Sequence, residues 1–284
     1  MKLNKPNALV FIPDNKPEAE AFARTTVMGI GAHQDDLEIM CYQGILECFG
    51  RDDAWFHGVV VTNGAGSARS GLYASYTDEQ MQAVRKVEQK KAAYVGEYGA
   101  VTILDYTSGE VKDGSSRLVI EELKELIRQS RPKVIYTHNL ADKHDTHIGV
   151  ALRVITALRE LGPEYRPEKF YGCEVWRNLD WMNDSEKCYF DVHEHPSIAA
   201  AVLGVHDSQI AGGKRYDLAT TGRRLANATY AESHGTDTTD QLAIAMNLLP
   251  VLEDPDLNLN DYVQGYIRRF ADDVAGKLTK FATK

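Results

Sequence analysis

Short apolar runs of the strand type alternate with longer helical patterns along the first half of the chain. The apolar runs are rich in valine, isoleucine and threonine, and they predict strands at residues 25–30, 58–62, 101–104 and 133–137. The helical patterns that follow them span residues 36–49, 78–98, 115–129 and 146–161. Strands that alternate with helices at this pitch form a parallel sheet with helices on both faces. The pattern therefore predicts an α/β protein with a Rossmann-like, mainly parallel sheet.

The rest of the chain is less regular. We predict further strands at residues 169–176 and 187–192, and helices at residues 196–210, 214–230, 242–249 and 261–280. The first 24 residues are polar and punctuated by proline, which predicts a lead-in segment draped over the surface. No internal repeat or flexible linker divides the chain. We therefore expect one α/β domain followed by a helical C-terminal extension.

The charge balance limits the partners of this protein. Its 284 residues include 32 Lys and Arg against 41 Asp and Glu, a formal net charge of −9. Nucleic acids and anionic membranes both select a basic face, so we expect neither as a partner. The N-terminus lacks the apolar core of a signal peptide, and no apolar run is long enough to span a membrane. The four cysteines show no CxxC spacing, so free thiols in the cytoplasm are predicted.

Polar residues cluster at the ends of the first and fourth predicted strands. The first strand leads into residues 31–36 (GAHQDD), and the fourth leads into residues 137–147 (THNLADKHDTH). Ligands bind beyond the carboxyl ends of the strands in such sheets, so the two loops are expected to meet there. Imidazole and carboxylate groups without cysteine favour Zn²⁺, which takes three protein ligands and a water in catalytic sites. Taken alone, the first loop is more typical of a turn or a helix cap than of a ligand pair, and His144 with His147 is compatible with an ordinary helix start.

Six segments, in order, resemble the PIG-L/LmbE-like family of zinc-dependent N-acetylglucosaminyl de-N-acetylases. Residues 32–36 (AHQDD) resemble the family signature A-H-P-D-D, and residues 143–147 (KHDTH) resemble R-H-P-D-H. The other four segments are residues 61–66 (VTNGAG), 84–88 (VRKVE), 206–209 (HDSQ) and 230–232 (YAE). The resemblance covers roughly residues 25–235, which we expect to form the deacetylase domain, between a lead-in at 1–24 and a helical extension at 236–284.

The resemblance implies a role for each matching residue of the two main signatures. His33, Asp36 and His147 would bind one zinc ion per chain, and a zinc-activated water would be the nucleophile. Asp35 would be the general base, and His144 would be the electrophile and general acid. The implied reaction removes the N-acetyl group from a small-molecule amino sugar or sugar conjugate.

The substrate pocket is expected to include four polar residues. Arg85 matches a family arginine that binds substrate, and Lys143 replaces the arginine of the R-H-P-D-H signature. This replacement removes a planar, bidentate contact to substrate. Arg69 and Asn63 lie in the glycine-rich stretches that follow the second strand, which we expect to border the pocket.

Two further departures from the family pattern affect the loops themselves. Gln34 replaces a proline, which changes the first loop without removing a functional group. Thr146 stands where the family often has an aspartate that orients the catalytic histidine. Asp142 and Asp145 are the two candidates to orient His144 instead.

Other interpretations stay open at this point. The same residues would serve the hydrolysis of a different amide or an ester, and a non-catalytic metal- or sugar-binding protein would share the scaffold. The glycine loop at residues 63–66 is a weak candidate for nucleotide binding, and His193 with His195 for a second metal site. A homo-oligomer is expected from the family, with the C-terminal helices available for assembly.

Overall fold

An eight-stranded sheet runs through the computed structural model, which describes residues 1–282. The strands are β1 (Leu9–Phe11), β2 (Val27–Gly31), β3 (Phe56–Thr62), β4 (Ala100–Tyr106), β5 (Val134–His138), β6 (Lys169–Cys173), β7 (Lys187–Asp191) and β8 (Leu242–Asn247). They lie in the order β1-β4-β3-β2-β5-β6-β8-β7. The five strands from β4 to β6 in this order are parallel, whereas β1 and β8 pair antiparallel with their neighbours. The predicted mainly parallel α/β sheet is confirmed.

Helices cover both faces of this sheet. They are α1 (Glu18–Ala23), α2 (Asp36–Met40), α3 (Tyr42–Cys48), α4 (Asp78–Val95), α5 (Ser108–Lys112), α6 (Leu118–Ser130), α7 (Asp145–Leu161), α8 (Pro196–Gly204), α9 (Asp207–Ile210), α10 (Tyr216–Tyr230), α11 (Pro250–Glu253) and α12 (Leu259–Phe281). Met28 and Ile30 of β2 enter the core beneath α6 and α7, whereas Val27 enters the core beneath α3. Alternate side chains of a single strand are therefore buried on opposite faces, as in doubly covered parallel sheets.

Two predicted helices are broken in the structure. The pattern at residues 36–49 forms α2 and α3, because the backbone leaves the helical region at Cys41 (φ −112°, ψ 15°). After this bend α3 packs closely on β5, where a Cβ on Gly44 would lie 2.8 Å from the Tyr136 ring. The pattern at residues 196–210 likewise divides into α8 and α9, with His206 as the non-helical residue before α9.

The predicted helix at residues 242–249 is wrong, because this segment forms β8. Ile244 and Met246 enter one core and Ala245 enters the other, so the strand is buried on both faces. A short, continuous apolar run fits a buried strand and a buried helix equally well, and only its pairing with β6 and β7 decides between them. The segment expected to be a purely helical extension therefore contributes a strand inside the sheet.

The first 24 residues are not confined to the surface. β1 pairs with β4, with Val10 opposite Thr102, and α1 carries two fully buried residues, Ala21 and Phe22. The Phe22 ring stacks on His57 at a centroid distance of 4.8 Å. The polar composition of this segment did not indicate that Phe22 is buried in the core. The division of the chain after residues 24 and 235 stays a prediction.

The last helix leaves the body of the protein. Its N-cap is Asn258, whose side chain accepts the backbone N–H groups of Asn260 and Asp261. From Ile267 to Phe281 every residue of α12 is exposed.

No helix within residues 1–282 combines the length and the apolar character needed to cross a membrane. The predicted homo-oligomer is not tested by a single chain and stays a prediction.

We predict that Phe22→Ala lowers the free energy of unfolding by about 3–5 kcal/mol, because it empties a fully buried aromatic site beside His57. Urea denaturation of both proteins measures the difference. Glu20→Ala on the exposed face of α1 is the matched control, with a change of about 0.5 kcal/mol or less. A Phe22→Ala protein as stable as the parent would show that the N-terminal segment contributes nothing to the core.

Candidate active site

The two polar loops meet at one edge of the sheet, as predicted. β2 and β5 are parallel neighbours, and their carboxyl ends are Gly31 and His138. β3 and β4, the next two strands in sequence, lie on one side of β2, and β5 lies on the other. The order of the strands therefore reverses at β2. This reversal opens a crevice at the carboxyl ends of the strands, which is where ligands bind in open α/β sheets.

Three side chains from these loops converge on one point. His33 Nδ1 and Asp36 Oδ2 are 3.2 Å apart, His147 Nε2 and His33 Nδ1 are 3.3 Å apart, and His147 Nε2 and Asp36 Oδ2 are 3.4 Å apart. Zinc bonds of about 2.0–2.1 Å place neighbouring tetrahedral ligands about 3.3–3.4 Å apart. The spacing and the donor types therefore fit a zinc ion, and these three residues would hold it.

Asp36 is the centre of charge in this cluster. It is buried, and its Oδ2 accepts the backbone N–H of His33 at 2.7 Å. Burial opposes ionisation, but His147 and His138 outweigh it and hold the pKa of Asp36 well below its usual value. The carboxylate is therefore ready to bind a cation.

Asp142 orients His147, not His144. Its Oδ2 lies 3.2 Å from His147 Nδ1, so His147 presents Nε2 to the metal position. The other carboxylate oxygen accepts the backbone N–H groups of Lys143 and His144. Asp145, the second candidate, is exposed. Neither aspartate therefore contacts the His144 ring, and the predicted substitute for the family aspartate is not found among the described contacts.

His138 is a residue of this site that the sequence interpretation did not assign. It is the last residue of β5, fully buried, and its Nε2 accepts the backbone N–H of Ala32 at 2.9 Å. Its ring stacks on His147 at a centroid distance of 3.8 Å. His138 therefore fastens the end of β5 to the first loop. A histidine at the last position of a buried strand, directly before a polar loop, was the available clue.

Asp35 points away from Asp36 because the backbone turns between them. Its φ of 94° lies in the left-handed region, which is unfavourable for any residue with a side chain. Burial raises the pKa of Asp35 to about 7, Arg85 opposes the rise and Asp36 adds to it. A carboxyl group whose pKa is close to neutral is suited to general base catalysis at physiological pH.

Hydrogen bonds to both ends of the loop hold this turn in place. The Arg85 guanidinium donates to the carbonyl of Gln34 at 2.5 Å and lies 3.7 Å from the Asp35 carboxylate. The Gln34 side chain, in the position of the family proline, donates to the Thr62 carbonyl at 3.2 Å. Gln34 also approaches Gly64 so closely that a Cβ there would lie 2.4 Å from the Gln34 amide oxygen. Arg85 and the glycine loop at residues 63–66 therefore contact the first loop and hold it in place.

A buried polar network supports the loop from the other side. The backbone N–H of Asp35 donates to Gln89 at 3.4 Å, and Gln89 donates to Glu38 at 2.8 Å. Glu38 also accepts the Tyr98 hydroxyl at 2.7 Å and pairs with His206 at 3.1 Å. His206 begins the late motif at residues 206–209, so this motif acts on the first loop through Glu38.

His144 lies beside the metal cluster, directly before the first residue of α7. Its Nδ1 accepts the backbone N–H of Thr146 at 3.3 Å, and its ring stacks on His147 at 4.5 Å. Burial and the neighbouring His147 lower the pKa of His144. The neutral ring, with Nδ1 as an acceptor, carries its proton on Nε2.

A cleft of about 370 Å³ opens over these groups. Its lining includes the predicted residues His33, Asp35, Asp36, Arg85 and His144. Three further lining residues, which the sequence interpretation did not name individually, are Trp176, Tyr216 and Lys214. The metal position and the base candidate therefore face one shared space.

Comparison with known proteins relates the part of the chain that holds this cluster to a described family. Residues 28–158 match the family PIG-L, described as GlcNAc-PI de-N-acetylase. The resemblance inferred from the signatures is confirmed. No curated protein matches the chain at a significant level.

Solved structures share the fold of most of this chain. The conserved protein TT1542 of Thermus thermophilus has a TM-score of 0.63 at 16% identity, over 82% of this chain and 99% of its own. The N,N'-diacetylchitobiose deacetylase of Pyrococcus horikoshii has a TM-score of 0.60 at 15% identity, over 78% and 83%. GalB, the 4-carboxy-2-hydroxymuconate hydratase of Pseudomonas putida, has a TM-score of 0.60 at 16% identity, over 79% and 96%. At these identities the comparisons show the fold alone.

Three of the predicted substrate residues do not line the cleft. Arg69 donates to the carbonyls of Ala65 at 2.7 Å and Tyr76 at 2.9 Å, so it braces its own loop. The Asn63 side chain accepts the backbone N–H of Ala65 at 3.1 Å within a tight turn, and Lys143 is exposed. Contact of these residues with substrate stays a prediction.

The second metal site suggested by His193 and His195 has no support in the described structure. His193 is exposed and bonds its own neighbour Asp191 at 2.6 Å. The clusters within residues 1–282 that have metal-binding geometry contain neither histidine. Both are formed around His147.

We predict that Asp142→Asn weakens Zn²⁺ binding about 10- to 100-fold, because it removes the carboxylate that orients His147. Competition with a chromophoric chelator measures the dissociation constant. Asp145→Asn, on the exposed start of the same helix, should leave it unchanged. Equal zinc affinity of the Asp142→Asn and parent proteins would contradict the orienting role.

Proposed function

We propose that this protein is a zinc-dependent de-N-acetylase that acts on an N-acetylated amino sugar or sugar conjugate. One arrangement carries the proposal: three ligand atoms lie at tetrahedral spacing, and two of their residues, His33 and Asp36, line the same cleft as the buried carboxyl group of Asp35, whose pKa is raised to about 7. The PIG-L match and the fold shared with a diacetylchitobiose deacetylase support the choice of an N-acetyl sugar.

His33, Asp36 and His147 would hold the metal. A bound zinc ion supplies a Lewis acid and lowers the pKa of a water ligand towards about 7. Asp35 would take the proton of the attacking water, since its own pKa of about 7 lets it accept that proton near neutral pH. The left-handed turn at Asp35 allows adjacent carboxylates to take these two separate roles.

His144 would act on the amide. Its Nε2–H can donate to the carbonyl oxygen as negative charge develops there, which is the electrophile role. Burial and His147 lower its pKa, which supports the electrophile role more directly than the general acid role. The proton that Asp35 has accepted is then available to the leaving amine, which completes hydrolysis to acetate and free amine.

Other reactions and a binding role are less well supported. GalB is named as a hydratase and shares the fold, so the fold does not choose the reaction. A pure binding protein needs no buried carboxyl group at a backbone position that costs about 1–3 kcal/mol. Hydrolysis of a different amide or an ester would use the same groups, and a substrate screen separates these cases.

The proposal includes the setting of the enzyme. We propose that it works in the cytoplasm as a homo-oligomer on a small-molecule substrate, without nucleic acid or membrane partners. The net charge of −9 and the absence of a membrane-spanning helix within residues 1–282 are compatible with this setting.

We predict that Asp35→Asn keeps about one zinc per chain and loses turnover by about 10²- to 10⁴-fold, because the ligands stay and the base is removed. Acetate release from N-acetylglucosamine conjugates and elemental analysis of the same samples measure the two properties. Asp52→Asn, at an exposed position, is the control.

The companion variant His147→Ala is expected to lose both zinc and turnover. Zinc retained in His147→Ala at the parent level would overturn the ligand assignment. Turnover retained in Asp35→Asn would remove Asp35 as the base. Release of an amine, acid or alcohol from another amide or ester, with no acetate from any N-acetyl sugar, would favour the alternative hydrolase.

A further inference from the structure

A second cavity of about 250 Å³ adjoins the active-site cleft. The two share four wall residues: Ile39, Val175, Trp176 and Tyr216. The Trp176 and Tyr216 rings meet edge to face at a centroid distance of 6.1 Å. The cavity is therefore a side compartment of the cleft, bounded by this aromatic pair, and not a separate site.

Most of this compartment is built outside the matched PIG-L segment. α10 contributes Ala219, Thr220, Arg223, Arg224 and Asn227, and β8 contributes Leu242, Ala243 and Ile244. All of these lie beyond residue 158, where the family match ends. The compartment is thus a feature that the match does not assign.

Apolar side chains make up much of the compartment wall, and several of its polar groups are already bonded. The Glu174 carboxylate accepts the backbone N–H of Leu179 at 2.6 Å and the Asn227 amide at 3.0 Å. Arg224 donates to the carbonyls of Glu38 at 2.9 Å and Ile39 at 3.2 Å. A polar ligand group would find few free partners there, whereas an apolar group loses no hydrogen bond to the protein by entering.

The position of Trp176 connects the compartment with the proposed reaction site. Its ring lies 6.2 Å from the His144 ring, the group beside which the amide would be cleaved. Trp176 and Tyr216 continue this wall away from the metal ligands, towards α10 and β8. A substituent of a substrate whose amide is bound beside His144 would reach the compartment by passing Trp176.

We propose that this compartment binds an apolar aglycone on the sugar, so that the substrate is an N-acetylated amino sugar carrying an alkyl or aryl group. The inference rests on the proposed deacetylase function. A cavity of about 150 Å³ holds benzene, so a volume of about 250 Å³ accommodates a group of at least that size. The amino-sugar part stays in the polar cleft, and the aglycone fills the apolar compartment.

The test compares N-acetylglucosamine with phenyl and hexyl N-acetyl-β-glucosaminides on the zinc-loaded enzyme. We expect kcat/KM to be about 10- to 100-fold higher for the two glycosides, because they bury an apolar group that the free sugar lacks. Ala219→Phe, which fills the compartment, should remove this preference. Ala226→Phe, also exposed on α10 but outside the lining, should change neither substrate.

Several outcomes would overturn the inference. Equal kcat/KM for free sugar and glycosides would do so, as would a preference that Ala219→Phe leaves intact. A higher kcat/KM for N-hexanoylglucosamine than for both glycosides would assign the compartment to the acyl chain instead.

A binding arm separates this inference from the proposed function. Phenyl β-glucoside, which has no amide, should bind the parent and Ala226→Phe proteins in calorimetry, and it should bind Ala219→Phe at least tenfold more weakly. Such binding without acetate release from any N-acetyl sugar would refute the deacetylase while the compartment stands. Equal affinity of the parent and Ala219→Phe proteins would refute the compartment, whatever the enzyme hydrolyses.

Discussion

The left-handed backbone at Asp35 is the constraint on which the site depends. It turns two adjacent carboxylates in different directions, so that Asp36 faces the histidines and Asp35 approaches Arg85. Such a conformation costs about 1–3 kcal/mol and persists only where the surroundings impose it. Here Arg85 bonds the carbonyl before Asp35 and Gln89 bonds its N–H, and both side chains come from α4. One rigid helix therefore holds the turn from both sides.

Local patterns were sufficient to predict the parallel core and the place of the site. β2, β3, β4 and β5 lie within two residues of their predicted bounds, because each is an apolar run buried on both faces. The residues with chemical potential are those that interrupt the buried pattern at a strand end. The pattern drew attention to the two loops, the family resemblance implied His33, Asp36 and His147 as the ligand set, and the structure brings their ligand atoms together.

Long-range contacts account for what local patterns could not predict. The run at β8 is a strand because β6 and β7 flank it, and these partners are distant in sequence. Asp142 is five residues from His147 and two from His144, and only the turn of the loop decides that His147 receives its carboxylate. Arg69 was predicted to contact substrate because it is basic and near the site; in the structure two of its nitrogens donate to the carbonyls of Ala65 and Tyr76, a contact that the local sequence does not show.

The proposed metal site and the additional pocket walls come from different parts of the chain. The proposed metal ligands, the base candidate and the helix that supports them all lie within residues 28–158. Trp176, Tyr216 and the walls from α10 and β8 lie beyond that segment and border the space into which a substrate would extend. Proteins named as a deacetylase and as a hydratase share this fold. The later segments border the cleft without contributing to the cluster around His147, so the pocket walls and the cluster are built by separate parts of the chain. On this view substrate choice is decided by packing around Trp176 and α10, and it can change without disturbing the turn at Asp35.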